Sequence, residues 1–227
     1  MTLHFVGFDI AQASDYSAVS VLERAPVTPY YRLRHLERLP RRTPYPDQCK
    51  VVVKLCDRIG RKYGSLPLLA CDFTGVGAPV YDMLRVSYQG QTKGVTITGG
   101  STVTITDDGK IHRIPKRDLI SRLRVALESG HLKISKAMPE AETFVDELSN
   151  FELKVDESGH VTMQAAGSGH DDLVMSAALG LWFAHSRGGY SEETFITPIV
   201  PKNGRPPNLH PAIPTWMTQK HSKIPRL

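Results

Sequence analysis

The chain has 227 residues, 41% hydrophobic and 22% charged, with a formal net charge of +5. That length supports one full core plus a tail, and the ordinary composition excludes a fibrous or wholly disordered chain. No apolar run is long enough for a membrane span, the N-terminus lacks the pattern of a secretory signal, and Cys49, Cys56 and Cys71, odd in number and without a C-x-x-C pair, argue for reduced cytoplasmic thiols rather than a disulfide framework or a zinc site.

Residues 3–9 are a β-rich apolar run that closes on Asp9. Residues 17–24 and 30–36 alternate apolar and polar side chains, as half-buried strands do. The links between these runs, Ile10 to Tyr16 and Ala25 to Pro29, are short, so an antiparallel three-strand meander is expected. Residues 32–62 hold ten Lys and Arg against Glu37, Asp47 and Asp57, a surplus of seven that suits either a polyanion or a solvated helix face. Over 47–63, Val52, Leu55, Cys56, Ile59 and Tyr63 recur at helical spacing, with Asp47 at the start and Gly64 after the end. A second apolar strand, Leu66 to Asp72, again ends in a carboxylate. Gly75 and Gly77 make a turn into a helix marked by Val80, Met83 and Leu84, completing a crossover with parallel strands.

Residues 94–114 contain two alternating runs divided by Gly99-Gly100, which predicts a strand followed by a hairpin or projecting loop. Lys110, His112 and Arg113 in that insert suit either a DNA-backbone contact or an ordinary surface hairpin. A helix is expected over 116–129, stopped by Gly130, and another over about 140–150. A short hairpin pairs Phe151–Val155 with Val161–Gln164 through Ser158-Gly159, and the last strong helix covers 171–186. Residues 188–227 carry seven of the sixteen prolines, and five basic against two acidic residues. They read as a Pro-rich basic tail beside a domain of residues 1–187.

Three of these elements deliver aspartate to their edges: Asp9, Asp72, and the pair Asp171 and Asp172 after His170. One Asp at a helix start is explained by capping and the macrodipole, but two in succession exceed that need. Carboxylates gathered at one point repel each other unless a divalent cation lies between them, and hard oxygen ligands suit Mg²⁺ or Mn²⁺. The expected chemistry is metal-dependent phosphodiester hydrolysis.

The order of strand-end Asp, meander, strand-end Asp in a crossover and helix-start Asp resembles the RNase H-like nucleases. The resemblance is closest to the nuclease domain of phage terminase large subunits. It is carried by Gly7-Phe8-Asp9 with the polar loop through Asp15, Ala70-Cys71-Asp72-Phe73-Thr74-Gly75-Val76-Gly77, Gly94 to Gly100, and Ile114-Pro115-Lys116. Leu132-Lys133-Ile134, Glu147-Leu148 with Phe151, and His170-Asp171-Asp172 with Ala177 complete the order, over about residues 3–186. The resemblance implies an α/β RNase H-like fold, with helices flanking a central mixed sheet built from the meander plus parallel strands. It implies an endonuclease cutting double-stranded DNA with little sequence specificity during viral genome packaging, through two ions about 4 Å apart. Under it Asp9 bridges both ions, Asp72 binds one and Asp172 the other, with Asp171 a weaker ligand. Spacing leaves open which of the adjacent pair faces the ions, and the resemblance favours Asp172.

His170 could orient the nucleophile, contact phosphate or cap the helix; Lys116 could neutralise phosphate charge or be solvated. Asp15 reads as a residue of the site rim or a solvated loop, and Glu147 as structural. No G-x-x-x-x-G-K-S/T occurs, so no ATPase motor is expected in this chain. Expected partners are DNA and a separate packaging ATPase, small terminase or portal protein, in the host cytoplasm and without a membrane. Rival readings are a Holliday-junction resolvase or transposase-like nuclease and a non-catalytic DNA-binding packaging module. An actin-like ATPase needs two domains and more phosphate loops than this chain has.

Overall fold

A computed structural model describes residues 2–11, 15–26, 30–155, 161–165 and 170–186, with 152–155 and 161–165 described in backbone alone. The expected tail, the Ser158-Gly159 turn and the Gly167-Ser168-Gly169 approach to the last helix lie outside the described residues. Three strands open the chain: β1 (Leu3–Asp9), β2 (Ala18–Arg24) and β3 (Tyr31–Arg38). They form the antiparallel meander predicted from the short links. After α1 (Tyr45–Tyr63), β4 (Leu68–Asp72) returns parallel to β1, and after α2 (Gly77–Ser87), β5 (Thr92–Thr98) lies parallel to β4.

The Gly-Gly region gives the expected strand followed by a hairpin. The hairpin joins β6 (Thr104–Thr106) to β7 (Ile111–Pro115), not to β5, and β7 runs parallel to β5. Asp107, Asp108 and Gly109 all have positive φ, which makes the tight reversal. The hairpin thus finishes one edge of the sheet, and His112 packs edge-on against Phe183 rather than facing outward. The other edge is β8 (Leu132–Ile134), three residues paired parallel to the start of β3. With α3 (Lys116–Glu128), α4 (Ala141–Ser149), the hairpin of β9 (Phe151–Val155) and β10 (Val161–Ala165), and α5 (Asp172–Ser186), the sheet order is β6-β7-β5-β4-β1-β2-β3-β8.

Helices cover both faces. Val6 and Phe8 of β1 join Val52 and Cys56 of α1 and Val80 and Leu84 of α2 in one buried cluster. Phe5 joins Leu22, Leu119, Phe144, Ala177 and Leu181 of the opposite cluster. This two-sided cover corrects the expectation for β2, whose seven residues are all buried. Two of its polar side chains find partners within the fold. The Ser20 hydroxyl donates to the Ser176 carbonyl at 2.9 Å, and Glu23 accepts from Arg32 and Arg34. β3 keeps the expected alternation. Part of the basic surplus is therefore spent within the fold.

Helix α5 lies closest to the sheet because glycine permits it. A Cβ on Gly7 of β1 would stand 1.9 Å from the Ser176 carbonyl oxygen and 2.8 Å from the Gly180 nitrogen. Strand and helix backbones therefore meet without intervening side chains. This contact sets the end of β1 against the start of α5.

Candidate metal centre

The parallel pairing of β1 with β4 places Phe8 opposite Cys71. One residue further on, both strands end, and Asp9 and Asp72 leave the sheet side by side at the same edge. Asp72 is 8% exposed and its turn is fixed locally: Oδ1 accepts the Thr74 amide at 2.8 Å, and Thr74 Oγ1 accepts the Ile97 amide at 3.0 Å. Gly75 takes φ +56, and a Cβ on Gly77 would lie 2.2 Å from the Asp72 carbonyl oxygen. Both glycines are accounted for by this strand-to-helix turn, with no need of a phosphate.

The start of α5 supplies the other carboxylates. Burial raises the Asp9 carboxyl well above its ordinary range, and Asp72, Asp171 and Asp172 push it further the same way. Lys116 alone opposes them. Burial likewise raises Asp72, against hydrogen bonds from Thr74 and the charge of Lys116. The charges of three carboxylates from separate parts of the chain thus reach Asp9.

Adjacent Asp171 and Asp172 point to different partners. Asp171, whose side chain is 28% exposed, accepts from Lys116 Nζ at 2.5 Å. Lys116 is the first residue of α3, directly after Pro115, and its ammonium also sits 5.5 Å from the Phe151 ring centre. Asp172 is buried, and its Oδ2 accepts from Arg38 Nε at 2.6 Å. Arg38 Nη2 donates to Glu147 as well. Burial, then the Asp172 charge, pushes Glu147 up to about 8, against the Val174 hydrogen bond and the charge of Arg38. Glu147 Oε2 also accepts the Val174 amide at 3.1 Å, which caps α5. The structural role expected of Glu147 is the one it performs.

His170 does not cap the helix. Its Nδ1 lies 2.8 Å from Asp15 Oδ1 and its Nε2 3.2 Å from Arg41 Nη2. A guanidinium only donates, so Nε2 accepts and Nδ1 carries the proton donated to Asp15. Tyr16 packs against the His170 ring and lies under Arg38 and Arg41. Asp15, His170 and Asp172 offer ligand atoms that all lie within 4.8 Å of one another. Arg38, Arg41 and Tyr16 are the site residues that sequence reasoning missed. Arg38 closes a meander strand and Arg41 follows it, but in the chain they are only two more members of a basic stretch.

The donor set fits a hard divalent cation. Within 4.8 Å of one another, Asp15 and Asp172 offer carboxylate oxygens and His170 an imidazole nitrogen, while the charges of Asp72, Asp171 and Asp172 reach Asp9. Asp172 Oδ1 is buried and has no hydrogen-bond partner among the described residues, a state that otherwise costs free energy. The mutual repulsion at Asp9 is the condition that a bound cation relieves. The three cysteines are free, buried and take no part.

No family model matches the chain. It is 30% identical over 191 residues to the terminase large subunit of Thermus phage G20c, a match covering 84% of this chain. The chain spans 34% of that relative's length. The large terminase nuclease domain of Thermus phage P74-26 superposes with a TM-score of 0.58, at 26% identity and 84% coverage of each chain. The nuclease of the G20c large terminase with bound magnesium does so with a TM-score of 0.57, at 27% identity, covering 80% of this chain and 81% of that one. The mixed sheet and its helices are the RNase H-like fold that these nuclease domains share.

Proposed function

We propose that this chain, homologous to the nuclease domain of terminase large subunits, is a divalent-metal-dependent endodeoxyribonuclease that cuts double-stranded DNA with little sequence preference during viral genome packaging. The observation that supports this reading is that the strand-end Asp9 feels the charges of strand-end Asp72 and of the pair Asp171 and Asp172 at the start of α5, with Lys116 paired to Asp171. Two ions of Mg²⁺ or Mn²⁺ are proposed, held by Asp9, Asp72, Asp171 and Asp172. Bound there, they would supply Lewis acidity and a water of lowered pKa.

The chain's own residues have separable parts. Asp9 has carboxylates on both sides and suits the shared ligand. Asp72 is held in orientation by the Thr74 amide. Asp171 faces the Lys116 side and Asp172 the His170 side, so the adjacent pair would serve different ions. Lys116 keeps a positive charge at the rim, where a scissile phosphate would come. His170, a proton donor to Asp15 in this arrangement, would orient rather than ligate. Arg41 and the exposed Arg113 suit contacts to the DNA backbone, with steep salt dependence. A separate packaging ATPase, small terminase or portal protein would be the partner, in the host cytoplasm. No helix among the described residues is long and apolar enough to cross a membrane.

The test is plasmid cleavage with Mn²⁺, Mg²⁺ or EDTA, comparing wild type with Asp72→Ala, Asp171→Asn and Asp172→Asn. Nicking and linearisation that need metal, and that fall to the EDTA background in Asp72→Ala and Asp172→Asn, are expected. Unchanged cutting by those variants refutes the site. DNA binding that is indifferent to EDTA, with no cleavage, would favour the non-catalytic module. Preference for four-way junctions over linear duplex would favour a resolvase.

A further inference from the structure

The Asp172 carboxylate is 3% exposed, yet its two oxygens are treated unequally. Oδ2 is held by Arg38 Nε at 2.6 Å. Oδ1 has no hydrogen-bond partner among the described residues and lies 3.9 Å from His170 Nδ1. The same guanidinium reaches Glu147 on α4, and Glu147 in turn accepts the Val174 amide in the first turn of α5. The end of β3, the C-terminal half of α4 and the start of α5 are thereby tied through one planar fork. The guanidinium carbon of Arg38 sits 4.9 Å from the Tyr16 ring centre, which restrains it from the other side.

We propose that Arg38 is a positioning residue for the metal centre. By occupying Oδ2 it leaves Oδ1 as the one oxygen that Asp172 presents to a divalent cation, and Glu147 holds Arg38 in that pose. This inference rests on the metal-site reading given above. Without the fork, Asp172 is free to rotate and to cap its own helix amides, as an Asp at a helix start readily does. A guanidinium donates along two fixed directions at once, whereas an ammonium is a point charge. Outer partners of this kind typically change metal affinity by roughly 10–100-fold when removed. A simple counter-ion would have the opposite sign: deleting a positive charge beside a cation site strengthens cation binding.

That difference in sign makes the proposal testable without reference to cleavage. Mn²⁺ binding to the full chain is measured by calorimetry and by electron paramagnetic resonance, for wild type, Arg38→Gln, Arg38→Lys and Glu147→Gln. Circular dichroism selects a temperature at which each variant is folded. Arg38→Gln is expected to weaken one bound ion by roughly 10–100-fold. Arg38→Lys, which keeps the charge and loses the fork, should recover only part of that loss. Glu147→Gln should give a smaller weakening in the same direction. Binding in Arg38→Gln as tight as or tighter than in wild type overturns the proposal, and so does full recovery by Arg38→Lys. If Arg38→Gln does not fold, Arg38→Lys and Glu147→Gln decide, and wild-type affinity in both overturns it. Absence of Mn²⁺ binding in wild type itself would remove the metal-site reading and this one together. Wild-type binding that Arg38→Gln leaves intact removes this one alone.

Discussion

Replacing Asp9 by Asn should stabilise the protein without metal and abolish its stabilisation by metal. Asn has the same size and keeps the side-chain oxygen, so the packing of β1 against α5 is undisturbed. What changes is charge. Asp9 ends β1 beside Asp72 on the neighbouring strand. At a spacing of about 5 Å and an effective dielectric of about 20, two like charges cost roughly 3 kcal/mol. Burial and the α5 carboxylates add to this, while partial protonation of Asp9 subtracts from it. A net gain of about 1–3 kcal/mol for Asp9→Asn corresponds to a rise in Tm of roughly 3–10 °C for a domain of this size. The pH dependence has a definite sign. The carboxyl is raised in the fold above its ordinary 3.8, so the folded state binds more protons than the unfolded chain. The penalty is absent below that value and grows as pH rises through it. The gap between variant and wild type should therefore widen from acid toward neutral pH. With saturating Mn²⁺ the order should close or reverse, because ligand at a hundred times its Kd stabilises wild type by about 2.7 kcal/mol and the variant lacks the shared ligand. Thermal scans of both proteins in EDTA and in MnCl₂, at several pH values, read all three effects. A variant less stable than wild type in EDTA, or raised by Mn²⁺ as much as wild type, would refute the reasoning.

Two further outcomes concern the frame. Gly7→Ala should destabilise by about 3 kcal/mol or more, because its methyl would meet backbone of α5 rather than a yielding side chain, and urea midpoints would measure it. A loss below about 0.5 kcal/mol would mean that strand and helix are not in direct backbone contact. His185 near the end of α5 is pushed down to about 4, first by burial and then by Arg122 and Arg24, and its Nδ1 lies 3.2 Å from the Tyr31 hydroxyl. Its folded value is depressed, so its stabilising contribution is present above pH 6.5 and is lost as pH falls toward 4, by up to about 3 kcal/mol. Relative to His185→Gln, wild type should lose stability over that window in urea titrations; parallel profiles would contradict the assignment.

Much of this architecture is local enough to be legible in the chain. The strands that end in Asp9 and Asp72 announce themselves because an apolar run stops at a carboxylate. The meander follows from link lengths, and α1 from Val52, Leu55, Cys56 and Ile59 at helical spacing. Strand β8 was not legible as a strand: three residues with one buried, one exposed and one between carry no period. The burial of Ser20 and Glu23 in β2 was hidden because alternation signals a solvent face only when no second layer covers it. Arg38 could not be found at all from its neighbours. Its partners lie 109 and 134 residues away, and its importance arises only when α4 and α5 reach the end of β3. Gly7 belongs to the first motif, but its reason, the approach of Ser176 and Gly180, exists only in the folded chain.

The adjacent aspartates divide the site between two partners. Asp171 precedes α5 and Asp172 opens it, and their side chains meet different cations. Each then needs its own neutralising partner while no cation is bound, and the fold provides two from different elements. Lys116 at the start of α3 serves Asp171, and Arg38 at the end of β3 serves Asp172. The two partners differ in kind. Lys116 and Asp171 are both about one-third exposed, so their ion pair is screened and can open when a phosphate or a cation competes. Arg38 is held between two carboxylates that are almost fully buried, so breaking that contact would leave buried charge uncompensated. The Asp171 side of the centre is therefore the adaptable half and the Asp172 side the rigid half. A chain with one aspartate at this helix start could have had only one of those properties.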